Sequence, residues 1–238
     1  MNADGAAAGD PARVRDAATV ILVRDPDGPE PRVLMGQRGK HAAFMPNKYV
    51  FPGGAVDAVD AEVPVVAAEV EPLSARLSEA APAGIGPAVL ACAVRELWEE
   101  TGQILGVKGV WPGAVPAGWT SFAATGHLPS AEAMAFVFRA KTPMGRPRRF
   151  DARFLLVDAA RLATDPDDFS RASDELTHLH WVRIAEARDY ELPFITQVVL
   201  AEIAGRLPDL TAPALVPYFR NEDEALHFER LGGVSPLG

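Results

Sequence analysis

The chain of 238 residues holds one cysteine, Cys92. A lone cysteine excludes an intramolecular disulfide and a zinc cluster built on thiolates. Its setting, in an apolar run just before Arg95, suits a small buried core residue. No apolar run approaches the roughly 20 residues that a membrane span requires. The N-terminus, "MNADGAAAGDPARVRDAA", lacks a basic stretch followed by an apolar one, so it reads as a flexible lead-in and not as a secretory signal. The last residues, "SPLG", are not a peroxisomal address, which leaves the cytoplasm as the default location. Positive charge is also scarce: 23 Lys and Arg against 32 Asp and Glu give a formal net charge of −9. That balance argues against a general binder of nucleic acid or of an anionic membrane. No internal repeat is present either.

What is present is an ordinary globular composition, 48% hydrophobic and 23% charged, in a length that suits one large domain or a domain with an insert. Residues 17–24, "AATVILVR", are β-branched and run into the turn-like "DPDGPEP", so they predict a strand and hairpin loop with "RVLMGQR" as the return strand. "YVFPGG" reads as a strand entering a turn. Residues 65–77 are partly helical in pattern, but Pro72 predicts a break or two short pieces. After the loop signal "APAGIGP", a helix is expected over about 87–101, with Leu90, Val94, Leu97, Trp98 and Thr101 on its apolar side. "AMAFVFRA", "RRFDARFLLVDA" and "LTHLHWVRI" are later strands. "PFITQVVLAEIAGRL" is a final helix with a stripe of Ile195, Val198, Val199 and Ile203. The segment after Leu210 gives no clear pattern. Strands before, between and after a few helices imply an α+β chain: a mixed sheet covered by helices.

The stretch "VRELWEETGQ" crowds three carboxylates, Glu96, Glu99 and Glu100, within one helical turn. Gly102 follows, and glycine is the preferred residue just past a helix end. The carboxylates then lie near the negative end of the helix dipole, where cations belong. Arg95 offsets part of that charge but cannot neutralise all three. A cation absent from the sequence would account for the pattern.

Together, "FPGG" and "RELWEETG" resemble the Nudix box, G-x5-E-x7-R-E-U-x-E-E-x-G-U, where U is aliphatic. Arg95, Glu96, Leu97, Glu99, Glu100 and Gly102 fill their places, whereas the final U falls on Ile104 or is shifted, because position 103 is Gln. Asp60 stands where the box has its first Glu, and 34 residues separate it from Arg95 in place of seven, an insert of 27. The split pattern is similar to a branch that holds peroxisomal coenzyme A diphosphatases and bacterial relatives. The resemblance implies an α/β/α sandwich (mixed sheet, helical insert) with a hydrolase domain over 17–210, the insert at about 61–87, a flexible segment over 1–16 and a tail over 211–238. It implies a metal-dependent diphosphatase whose cofactor is Mg²⁺ or Mn²⁺, held by Glu96, Glu99 and Glu100. Arg95 would orient a carboxylate of the set.

Hard oxygen ligands on one helix face suit Mg²⁺ or Mn²⁺. Gly53 and Gly54 would give the tight backbone path that brings the loop to the helix. Asp174 and Glu175, before "LTHLHW", are candidates for the general base, with Glu175 preferred. Catalysis is thus expected from Arg95, Glu99 and Glu175, and substrate contact from Arg38, Phe51, Gly53 and Gly54. Asp57 and Asp60 stay open between assisting the metal and capping the insert. His178 and His180 alternate on a strand and read as structural or substrate-facing.

The expected partner is a small nucleoside diphosphate derivative, with a homodimer as the candidate assembly. The coenzyme A signature places an Arg thirteen positions before the Phe of FPGG, and Arg38 stands there. Leu34 also agrees, but Gly39, Ala43 and Asn47 replace its Ser, second Arg and Gly, and Lys40 or Lys48 would have to supply a phosphate contact. Coenzyme A or an acyl derivative therefore leads, with ADP-ribose or a dinucleotide next, and a catalytically inactive ligand-binding domain as the alternative class.

Overall fold

The computed structural model describes residues 13–40, 45–71, 73–222 and 225–232. Most of the expected N-terminal lead-in, Ala43, Pro72 and the final "SPLG" lie outside these residues. Strand β1 (Val14–Arg24) begins three residues before its apolar run, and a hairpin returns it to β2 (Arg32–Arg38), paired through Val23 with Val33 and Arg24 with Arg32. β3 (Tyr49–Val50) and β4 (Gly53–Ala55) flank the Phe51–Pro52 bend. β4 pairs with the first half of β1, whose other edge pairs in parallel with β8 (Arg149–Asp158) along ten register positions. β7 (Ala135–Lys141) pairs antiparallel with β8, and β9 (Leu176–Arg183) antiparallel with β2.

Beyond β7 the sheet continues into β10 (Val216–Glu222) and β11 (Ala225–Leu231), a hairpin that the mixed sequence after Leu210 did not signal. A separate two-stranded sheet joins β5 (Gly106–Lys108) to β6 (His127–Pro129), with the short α3 (Thr120–Ala123) between them. These elements also escaped the sequence, because each is too short to show a period.

Alternation along β1 divides the core. Ala18, Val20 and Leu22 face α2 (Ile85–Thr101), where Val89, Leu90, Val94 and Leu97 are fully buried. Ile21 and Val23 face α4 (Phe194–Arg206), packed through Val199, Leu200 and Ile203, with Ile195 and Val198 at the margin. A mixed sheet thus lies between helices on both faces. At roughly 1.5–3 kcal/mol per buried large apolar side chain, these two layers dominate the stability that the active face can draw on. Among the described residues between Asp57 and the start of α2, helix is limited to α1 (Leu73–Ser78) and a 3₁₀ turn at Ala58–Glu62. Residues 65–71 lie between Pro64 and Pro72, which disfavour helix. Val66 instead bridges Ser130, accepting from Ala131 N–H at 2.9 Å and donating to Pro129 at 2.8 Å. No helix among the described residues is long and apolar enough to cross a membrane.

Candidate active site

α2 ends as its sequence demands. Gly102 takes a left-handed conformation, φ 72°, and its N–H donates to the Trp98 carbonyl at 2.8 Å. The last helical turn faces β4 across a very close approach. A Cβ on Gly54 would lie 2.3 Å from Glu96 Oε1, so only glycine lets the carboxylate occupy that space. Next to it the Gly53 N–H donates to Glu100 Oε2 at 2.7 Å. The expected tight path of Gly53 and Gly54 is therefore a backbone cradle for two of the three helix glutamates, with Phe51 buried at its start.

Arg95 organises the rest. Its Nε and Nη2 each donate to Asp60 at 2.9 Å, Nη1 donates to Glu96 Oε1 at 2.8 Å and to Glu99 Oε2 at 3.3 Å, and Nη2 also reaches the Ala55 carbonyl at 3.1 Å. Asp60 is wholly buried and accepts the Asp57 N–H at 2.9 Å, closing the turn that opens the insert. Asp60 thus caps the turn and also anchors Arg95. Asp57 stays half-exposed at 3.8 Å from Arg95 and 3.4 Å from Arg15.

The carboxylates strain against one another. Burial pushes Glu96 up to about 7, with Glu99 and Glu175 adding to the rise and Arg95 opposing it. Burial, then the charge of Glu96, holds Glu100 well above the ordinary range, against the Gly53 hydrogen bond. Burial raises Glu99 too, with Asp60 and Asp57 contributing. For Arg95, burial opposes the charge, but the Asp60 bonds outweigh it and raise its pKa.

Glu175 and Arg38, read separately from the sequence, form a pair: Arg38 Nη2 meets Glu175 Oε1 at 3.2 Å. Glu175 sits close enough for its charge to act on Glu96 and Glu100. Its segment is tied to α2 by the Ser173 N–H, which donates to the Glu99 carbonyl at 3.0 Å. That contact and the Ala55 carbonyl were illegible in the sequence, because backbone groups carry no residue signature. Lys48 is engaged elsewhere, with Glu191 at 2.6 Å, and Lys40 is exposed.

A bulge in the β2–β9 pairing, with His178 at φ 52°, breaks the expected alternation of the two histidines. His180 then packs against Tyr49 and Tyr190 at 5.8 and 5.5 Å, Tyr49 and Tyr190 belonging to the α4 side of the sheet. Two cavities, of about 1120 and 430 Å³, lie at the β1–β2 loop and beside Gly102 and Arg171; neither is lined by the glutamates.

Among the described residues no three acidic, thiol or imidazole groups converge as a finished metal cage. Arg95 holds Glu96 and Glu99, and so competes with any cation for their oxygens. The donor set nevertheless fits a hard divalent ion. All candidate donors are carboxylate oxygens, burial raises their pKa values with neighbouring carboxylates adding to the rise, and buried Glu100 Oε1 has no hydrogen-bond partner among the described residues.

Residues 13–202 match the NUDIX domain. A Caenorhabditis elegans protein, nudix hydrolase 7 by name, is 30% identical over 187 residues, which span 74% of this chain and 53% of that protein. The chain thus spans about half the length of this curated relative. The crystal structure of a NUDIX hydrolase from Alicyclobacillus acidocaldarius superposes with a TM-score of 0.60 at 26% identity, covering 82% of this chain and 93% of that one.

Proposed function

Because the chain belongs to the Nudix family, we propose that it is a divalent-metal-dependent hydrolase that cuts within the diphosphate of a nucleoside diphosphate linked to a second moiety. One observation carries the reading: Glu96 and Glu100 pack against the Gly53–Gly54 cradle, and Arg95, anchored by a buried Asp60, holds Glu96 and Glu99 beside it. The hydrolase domain is taken as 17–210, with the insert at about 61–87.

Glu96, Glu99 and Glu100 would hold Mg²⁺ or Mn²⁺, which supplies charge neutralisation at the diphosphate and acidifies water. Arg95 fixes the directions of Glu96 and Glu99, and the Gly53 amide fixes Glu100. Glu175 takes the proton of the attacking water. Water attacks one phosphorus, the bridging P–O bond breaks, and each product keeps one phosphate of the former diphosphate as a monoester. Arg38, beside Glu175, meets the substrate's phosphate. Phe51, Gly53 and Gly54 shape the floor by their backbone path.

Coenzyme A or an acyl derivative is the leading substrate, on the strength of Arg38 at its signature position; ADP-ribose is the comparison. The Arg95 pairing of Asp60 weakens the inactive-domain alternative, since the replaced box residue still does structural work at the site.

The test is hydrolysis of coenzyme A and ADP-ribose in ¹⁸O-water, with Mg²⁺ or with EDTA, weighing both products. Two products each ending in a new phosphate monoester are expected, 3′,5′-ADP and phosphopantetheine from coenzyme A, with label on one of those phosphates. Glu99→Gln and Glu100→Gln should each lose at least about 100-fold in kcat/KM, the equivalent of roughly 3 kcal/mol of charge stabilisation. Turnover that ignores EDTA, or survives in both variants, defeats the reading.

A further inference from the structure

Position 103 is Gln, where the box has an aliphatic residue. The side chain is fully buried. Its Nε2 donates to the carbonyls of Asp165 at 3.2 Å and Asp168 at 2.9 Å, and its Oε1 accepts from Thr164 Oγ1 at 2.6 Å. An aliphatic side chain could make none of these bonds and would leave the groups beneath it unmatched.

Three further hydrogen bonds surround Gln103. Ile104 accepts from the Ala163 N–H at 2.8 Å and donates its own N–H to Thr164 Oγ1 at 3.1 Å. The Ser173 N–H donates to the Glu99 carbonyl at 3.0 Å. The segment from Ala163 to Ser173 is therefore docked on the end of α2 at three stations: Ile104, Gln103 and Glu99. Glu175 follows two residues after the last of them.

We infer that Gln103 is a positioning residue: by docking this segment on α2 it sets where the Glu175 carboxylate stands against Glu96, Glu99 and Glu100. The inference rests on the reading of Glu175 as the base that takes the water's proton. A base must come within hydrogen-bond reach of the proton it removes, and a displacement of about 1 Å can cost on the order of 100-fold in rate. An undocked segment would sample many such displacements. The buried amide removes that freedom with bonds that point only toward the segment.

Three measurements on the full chain test it: amide hydrogen exchange, Mg²⁺ titration and steady-state kinetics of wild type, Gln103→Leu, Glu175→Gln and the double variant. Gln103→Leu should stay folded and bind Mg²⁺ as wild type does, yet exchange faster over 163–173. Its kcat should fall about tenfold or more with KM little changed. The double variant should lose no more than Glu175→Gln alone, because Gln103 acts through Glu175. Losses that multiply, an unaltered kcat, unaltered exchange or an inert Glu175→Gln overturn the inference. If Gln103→Leu does not fold, Gln103→Glu replaces it and is judged by the same outcomes. A wild type without turnover would sink the proposed function instead, and exchange over 163–173 would still decide whether Gln103 docks the segment.

Discussion

Asp60 and Arg95 form a buried ion pair with two bonds of 2.9 Å, and such a pair is worth most when one partner is removed. Asp60→Ala should cost roughly 3–5 kcal/mol of unfolding free energy, because it removes the fully buried carboxylate that takes two of the bonds of a buried guanidinium. Asp60→Asn should cost less, and denaturant titration separates the two. Equal losses would mean that the charge of Asp60 is immaterial. Glu96 gives a pH signature of opposite sense to an ordinary carboxylate. Its folded pKa, raised to about 7 chiefly by burial, exceeds its unfolded one, so the folded state binds the extra proton. The stability it contributes is complete below about pH 4.3 and is lost as pH rises through 7. In EDTA, the Tm of wild type relative to Glu96→Gln should therefore fall between pH 5 and pH 8. Saturating Mg²⁺ should raise wild-type Tm most at the alkaline end, since metal ligation needs the carboxylates deprotonated. A flat difference in EDTA would show that Glu96 titrates normally.

Elements with a strong period were legible in advance. β2 and β9 fall on their expected strands, and α2 and α4 differ by at most two residues at an end. The Gly102 stop and the burial of Cys92 were equally readable, since one needs only a conformation and the other only an apolar setting. What could not be read were partnerships across long separations. Arg139 is the clearest case. It is 1% exposed, grips Asp151 with two bonds of 2.7 Å, donates to the Glu79 and Ala80 carbonyls at the end of α1, and stacks over Tyr218. One side chain thus joins β7, β8, the insert and the C-terminal hairpin. Arg76 adds a second tie, from α1 to the carbonyls of Pro213 and Ala214. Arg139→Leu should destabilise by roughly 3–5 kcal/mol by leaving Asp151 unpaired. For a chain of this size that is a Tm drop on the order of 10 °C, which calorimetry would read. A drop under about 2 °C would show that these elements do not depend on the guanidinium. The same ties make the insert part of the sheet's support, so shortening it should lower stability.

At the scale of the whole molecule, one sheet keeps its two faces for different work. The α2 face carries the charge and the proposed chemistry; the α4 face is apolar packing with the Tyr49, His180 and Tyr190 cluster at its rim. Cys92 lies where the α2 layer meets β4. It is completely buried, its Sγ 3.5 Å from the Gly54 carbonyl and 3.7 Å from Arg95, and burial holds the thiol well above its usual pKa. As the sole cysteine of the chain, it is a built-in stopwatch for the seam beneath the glutamates. A thiol reagent such as dithionitrobenzoate can colour only molecules in which that seam has parted, so the rate of colour is the rate of breathing. It should be slow in the native protein, prompt in denaturant, and slower still with Mg²⁺ as helix and cradle are clamped together. A native rate equal to that of the unfolded chain would mean that the seam stands open.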